Sequence, residues 1–177
     1  YNMTEDVKVV AAFLGVSADN VQLDVNSQMP CLNGGQGSEI RGLATVCKYL
    51  AKKSQKKEVL GKSVQDEAFV DQWLEYCVTN VYGGLVEKKE QQYVILKDLN
   101  EFIADKVYFV GSSLSLADIL LYQRLYGVFR DLTFMEKQKY IHLSRWFSQI
   151  QHEEGVHGLQ AEVSFQKNLI YTSLTAH

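Results

Sequence analysis

The chain has 177 residues, of which 46% are apolar and 22% charged, and a net charge of −3; that is enough length and apolar surface for one ordinary domain or two small ones sharing an interface. The composition argues against extended disorder, and a sequence pI of about 5.8 provides no global field to draw the protein to nucleic acid or anionic lipid. No run approaches the roughly 18 apolar residues of a membrane span and no basic, apolar, cleavable leader is visible, so a cytosolic, membrane-free protein is expected.

Val7, Val10, Ala11 and Leu14 recur at helical spacing between Thr4 and Leu14, and Gly15 supplies a stop. Val21, Leu23 and Val25 alternate with polar residues, and Met29 to Leu32 is a second short apolar segment, so a small sheet is expected here. A glycine-rich turn, Asn33 to Ser38, leads to a helix from Leu43 to Ala51 with Leu43, Val46, Cys47 and Leu50 on one face. Lys52, Lys53, Lys56, Lys57 and Lys62 then mark an exposed linker. The expected division is residues 1–53, a linker at 54–62, and residues 63–177.

Ser63 and Asp66 have capping-box spacing at the start of a helix reaching about Val81, which Gly83-Gly84 ends. A second amphipathic helix is expected from Glu90 to Lys106. Ser115 and Asp118 form the clearest device in the chain: the hydroxyl accepts from the Asp118 N–H while the carboxylate reaches back to the Ser115 N–H. The helix that follows, Leu116 to about Arg130, is apolar nearly all round and must be covered on several sides. Thr133 to Glu136 caps another helix, Leu143 to Gln151 is another, and Val163 to Tyr171 is the last expected.

Cys31, Cys47 and Cys77 are odd in number, widely spaced and free of any C-x-x-C pair, which favours small core residues over a disulfide framework or a zinc site. Cys31 has no partner cysteine or adjacent histidine to activate it. His152 and His157 are five apart, which on a helix would turn them roughly 140° from each other, and Gly155 argues against a helix there, so neither a metal nor another cofactor is expected. The lysines between 48 and 62 favour a helix C-terminus and solvate a linker without any ligand, so direct nucleic-acid binding is not expected.

A small βα-type region with its one proline in Met29-Pro30-Cys31-Leu32, a polar linker, and a helical bundle opened by Ser115-Leu116-Ala117-Asp118 resembles the glutathione transferase family over essentially the whole chain. The later Ser144-Arg145-Trp146-Phe147 helix resembles the same fold. Within it, Gln72-Trp73-Leu74-Glu75-Tyr76, Leu96-Lys97-Asp98-Leu99-Asn100 and Ile150-Gln151-His152 resemble the small transferase-like auxiliary subunits of the multi-aminoacyl-tRNA synthetase complex. The resemblance implies an α+β, mainly α fold: a truncated thioredoxin-like N-terminal domain and an all-α C-terminal domain. It also places a cis-proline at Pro30.

The family's glutathione chemistry needs a thiolate donor on the first strand-to-helix turn and an acidic or amide residue followed by serine after the glycine turn. Only 29 residues precede Pro30, against roughly 30 or more for a complete βαβ unit, so the segment for the first requirement is read as missing. Aligning Tyr49-Leu50 with the family's tyrosine-leucine puts Gly42-Leu43 at the second, and neither can bind the γ-glutamyl group.

The resemblance therefore implies a noncatalytic scaffold that bridges synthetases, supports translation near elongation factor, and has a nuclear role in DNA-damage signalling. One surface, with Lys48, Gln72 and Tyr76, would meet the transferase-like domain of methionyl-tRNA synthetase. A second, anchored by Arg145, would receive that of glutamyl-prolyl-tRNA synthetase. An intramolecular salt bridge is the competing role for Arg145, and Trp146 reads as core. Two alternative functions stand beside the scaffold: a glutathione-dependent transferase with an atypical site, and a direct tRNA-binding module.

Overall fold

The computed structural model describes residues 3–25, 27–34, 38–82, 85 and 89–165. Helix α1 (Met3–Leu14) turns its Val7, Val10, Ala11 and Leu14 stripe inward and leaves Glu5 and Lys8 in solvent. Three short strands follow, β1 (Val21–Leu23), β2 (Pro30–Asn33) and β3 (Glu39–Arg41), paired antiparallel in the order β1-β2-β3. Leu23 stands opposite Pro30, and Leu32 opposite Ile40. Strand β3 was not expected, because three residues holding a single apolar side chain, Ile40, are too short to show alternation.

Pro30 corrects a second expectation, since no peptide bond among the described residues is cis. As the first residue of β2 it needs no ladder donor, and its carbonyl accepts from the Gly42 N–H over 2.9 Å.

Helix α2 (Leu43–Lys53) lies against α1 and β2. The segment after it keeps Lys52, Lys53, Lys57 and Lys62 exposed but is anchored at two points. Ser54 and Val59 are buried, and a 3-10 turn occupies Lys57–Leu60. Lys56 reaches back to donate to the Phe13 carbonyl over 2.8 Å, its ammonium lying 4.1 Å from the Phe13 ring centre. The run of lysines hides this packing, because their long stems cover apolar surface while most of their charges stay wet.

Helix α3 (Val64–Tyr76), whose N-cap Ser63 accepts from the Asp66 N–H, continues into a π-helical turn at Cys77–Val81. Gly83 and Gly84, its expected end, lie outside the described residues. Helix α4 (Lys89–Phe102) is shorter than expected, the chain turning at Ala104 and Asp105. Helix α5 (Leu116–Asp131) is the centre of the bundle, packed against α1, α2 and α3 and, on another side, the last described helix. Helix α6 (Phe134–Lys139) has Thr133 and Glu136 as a reciprocal cap, and α7 (Ile141–Gln151) closes the bundle against α4 and α5. Residues 163–165 are not helical, and Gln151 holds Val163 by both its backbone N–H and C=O. The rest of that expected helix, 166–171, lies outside the described residues.

Buried apolar residues from Val7 to Val163 form one continuous core, in which Trp146, Phe129 and Phe147 are among the largest fully buried side chains. Charge also crosses it. Asp6 on α1 meets Arg124 on α5 at 3.2 Å, both side chains almost fully buried. Tyr82 donates its phenol to the same carboxylate, Gln123 donates to the other oxygen over 3.1 Å, and the Arg124 guanidinium lies 3.6 Å from the Tyr82 ring centre. A buried carboxylate persists when it is paired and hydrogen-bonded in this way.

Candidate functional site

Where the fold's ligand would sit, helix α2 opens on Gly42, at φ +94° and with no side-chain cap bond, followed by Leu43, which is 3% exposed. Neither residue brings a polar side chain to orient a γ-glutamyl group, and the Thr45 hydroxyl, 3.8 Å from where a Gly42 Cβ would stand, makes no cap bond. Next to Pro30, Cys31 is buried in β2, and burial first, then Glu39, push its thiol up, away from the thiolate that nucleophilic chemistry needs. Burial pushes Cys47 up to about 12 and raises Cys77 as well. All three are free, buried thiols.

Helix α7 ends at Gln151, so His152 and His157 sit in turns, where their rings stack with centres 6.2 Å apart. His152 Nδ1 lies 2.6 Å from the Ser148 carbonyl and Nε2 is 3.3 Å from Glu162. No group of three or more ligand-type side chains that could hold a metal occurs among the described residues.

On the first expected surface, Lys48 from α2 meets both oxygens of Asp71 on α3, at 2.7 and 2.8 Å. Gln72 is exposed beside this pair, and Tyr76 is half-buried with its ring edge-on to Trp73 at 5.3 Å. Burial first, then the Asp98 charge, raise the Tyr76 phenol. The structure thus joins the two helices through Lys48 while leaving Gln72 and part of Tyr76 outward. Phe69, 42% exposed, belongs to the same row and escaped the sequence reading. Its signal was present: Phe69, Gln72 and Tyr76 stand at i, i+3 and i+7, one face of a helix distinct from the inward Val70, Trp73 and Leu74.

On the second surface, Arg145 is exposed, but its Nη2 donates to the Ile103 carbonyl over 2.8 Å and to the Lys106 carbonyl over 2.6 Å. It closes the turn that ends α4, where carbonyls lack helical partners and a cation is favourable. Among the described residues no acidic side chain forms an ion pair with Arg145, so main-chain carbonyls stand where the salt bridge was expected. Trp146 is fully buried and donates to Asp118.

Ser115 and Asp118 exchange both bonds of a capping box at the start of α5. Asp118 does more than cap. Its Oδ1 also accepts from the Phe109 N–H and the Trp146 indole, each over 2.9 Å. Burial raises its carboxyl above the ordinary value, and the bonds from Phe109, Ser115 and Trp146 oppose that rise. This carboxylate is a structural joint with no route to substrate.

Residues 66–154 match a protein family described as nuclear-export cofactor Arc1p. Across 95% of its length the chain is 40% identical to eukaryotic translation elongation factor 1 epsilon-1 of Homo sapiens, of which it covers 96%. It is 24% identical over 156 residues to the bifunctional glutamate/proline--tRNA ligase of Cricetulus griseus, covering 88% of this chain and 9% of that one. Among solved structures it resembles a possible glutathione S-transferase from Rhodopseudomonas palustris with a TM-score of 0.74 at 18% identity, covering 92% of this chain and 94% of that one. That likeness establishes the fold.

Proposed function

The chain belongs to the family of the eukaryotic translation elongation factor 1 epsilon-1 proteins, and on that premise we propose that it is a noncatalytic adaptor of the translation machinery, joining aminoacyl-tRNA synthetases through pairing of transferase-like folds. A translation-related auxiliary role follows from the relatives themselves. The finer reading rests chiefly on the start of α2, where Gly42 and buried Leu43 offer nothing to hold glutathione on a backbone that otherwise has the transferase shape. A fold of this kind that lacks ligand-binding side chains still presents the faces through which such folds pair.

The row Phe69, Gln72 and Tyr76 on α3, with the Lys48–Asp71 pair at its border, is proposed to meet the transferase-like domain of methionyl-tRNA synthetase. Its mix of an aromatic residue, an amide and a half-buried phenol suits an interface of apolar centre and polar rim. The outer face of α7 around Arg145 is proposed to receive the corresponding domain of glutamyl-prolyl-tRNA synthetase, and similarity to such a ligase supports a partner of that type. Because Arg145 is already anchored on Ile103 and Lys106, its guanidinium meets a partner with little ordering left to do. Charged tRNA would then be released close to elongation factor.

Calorimetric titration with the N-terminal transferase-like domain of methionyl-tRNA synthetase, and separately with glutathione, tests this reading. One-to-one binding of the domain with no heat from glutathione supports the adaptor. Saturable glutathione heat without domain binding overturns it in favour of an enzyme with an atypical site.

A further inference from the structure

Helices α4, α5 and α6 enclose a groove of about 500 Å³ that belongs to neither proposed pairing surface. Its floor is apolar, with Leu85, Leu96, Val128 and Leu132, and Gly127 on α5 leaves it open by contributing no side chain. Tyr93, 56% exposed, and Tyr140 form one wall, their ring centres 6.4 Å apart. A large aromatic left half in water beside an apolar floor is the arrangement of an unfilled anchor pocket.

The charges around this floor are unequally committed. Asp131 holds Arg130 through both oxygens, at 2.8 and 3.3 Å. Glu136 accepts from the Thr133 N–H and hydroxyl, at 2.8 and 2.7 Å, as the cap of α6. Lys89 and Lys139 are exposed on the groove lining and make no hydrogen bond or ion pair among the described residues, although, after the bonds from Thr133, their charges help hold the Glu136 carboxyl below its ordinary value. The two acids accept close bonds from the protein itself, whereas the two ammonium groups feel only this longer-range attraction and keep their donors for an incoming carboxylate.

We propose that this groove docks an acidic peptide segment of a partner protein, an apolar side chain of the peptide entering between Tyr93 and Leu132 and its flanking carboxylates pairing with Lys89 and Lys139. A nucleic-acid strand fits less well. Its evenly spaced phosphates would pass Asp131 and Glu136 as well as the lysines, whereas a peptide can place carboxylates singly. The site is carried by α4, α5 and α6, apart from Lys48, Gln72, Tyr76 and Arg145 on α2, α3 and α7, so its occupation leaves both pairing faces free.

The test is fluorescence anisotropy with a fluorescein-labelled peptide in which Leu and Phe alternate with Glu, against the same peptide with each Glu replaced by Lys. The acidic probe is expected to saturate and to weaken with salt, and the basic probe not to bind. Tyr93→Ser and the double variant Lys89→Glu/Lys139→Glu should each weaken the acidic probe by about tenfold, as loss of a central anchor does, while Lys57→Glu, on the distant 3-10 turn, leaves binding unchanged. All four positions are exposed, and unchanged thermal midpoints confirm that the variants fold. Equal binding of both probes, no binding of the acidic probe, affinity unaltered by the groove variants, or preference for a single-stranded oligonucleotide would each overturn the proposal.

Discussion

The Trp146 indole donates to Asp118 Oδ1 over 2.9 Å, so the carboxylate that starts α5 also fixes the middle of α7. The same oxygen holds the Phe109 N–H, and Oδ2 holds the N–H and hydroxyl of Ser115. Asp118→Ala therefore leaves several buried donors without acceptors at once. We expect a loss on the order of 3 kcal/mol, since each unsatisfied buried group costs roughly 1–3 kcal/mol. Trp146→Phe should lose less, because it removes the donor and its need for an acceptor together. Equilibrium urea unfolding of both variants measures the difference.

Asp6 and Arg124 provide a sharper comparison. Arg124→Met removes the cation from a nearly fully buried pair and leaves Asp6 with Tyr82 and Gln123. A loss of about 3 kcal/mol is expected, the usual cost of orphaning one member of such a pair. Asp6→Leu combined with Arg124→Met should recover part of it, because no buried charge is then left alone. A double-mutant cycle from chemical unfolding reads the coupling directly.

Alkaline pH should reveal Tyr82. Burial first, then Asp6, push its phenol far above its ordinary value. Below the unfolded pKa, near 10, both states keep the proton and the contribution to stability is complete. As pH rises beyond that, the unfolded chain releases a proton that the folded one retains, and stability falls. Tyr76, Tyr108 and Tyr140 are raised as well and Tyr122 is pushed up to about 12, so all share in the loss. Tyr82→Phe should therefore lose less stability than the wild type between about pH 8 and pH 10.5, and urea midpoints across that range are the measurement.

The thiols should divide by depth. Cys47 and Cys77 are wholly inaccessible, whereas Cys31 is 7% exposed on a short strand. Iodoacetamide at pH 8 is expected to label Cys31 slowly in the native protein and the other two only after unfolding. Mass spectrometry after timed quenching distinguishes this order from uniform labelling.

Much of this fold was legible because it rests on local devices. Ser115 and Asp118 announce α5 by spacing alone, and the all-round apolar face after them requires burial. Strand β3 was invisible for the opposite reason, since Glu39-Ile40-Arg41 has no pattern until β2 gives it a partner. The start of α2 at Gly42-Leu43 could be read from the glycine and the apolar face that follows it. Asp6 and Arg124, 118 positions apart in sequence, could not be paired without the fold. The intramolecular contacts of Arg145 were not legible, because its acceptors are main-chain carbonyls, which every residue carries.

The Asp6–Arg124 contact also determines where the protein can be divided. A cut in the segment between α2 and α3 falls at the natural seam of the sequence, yet it would strip the helical fragment of the Asp6 carboxylate that meets the buried Arg124 guanidinium. Such a fragment leaves the place of that carboxylate to water or to another anion. Attempts to express the helical part by itself should therefore succeed better with Arg124 exchanged for an apolar residue than with the native side chain retained.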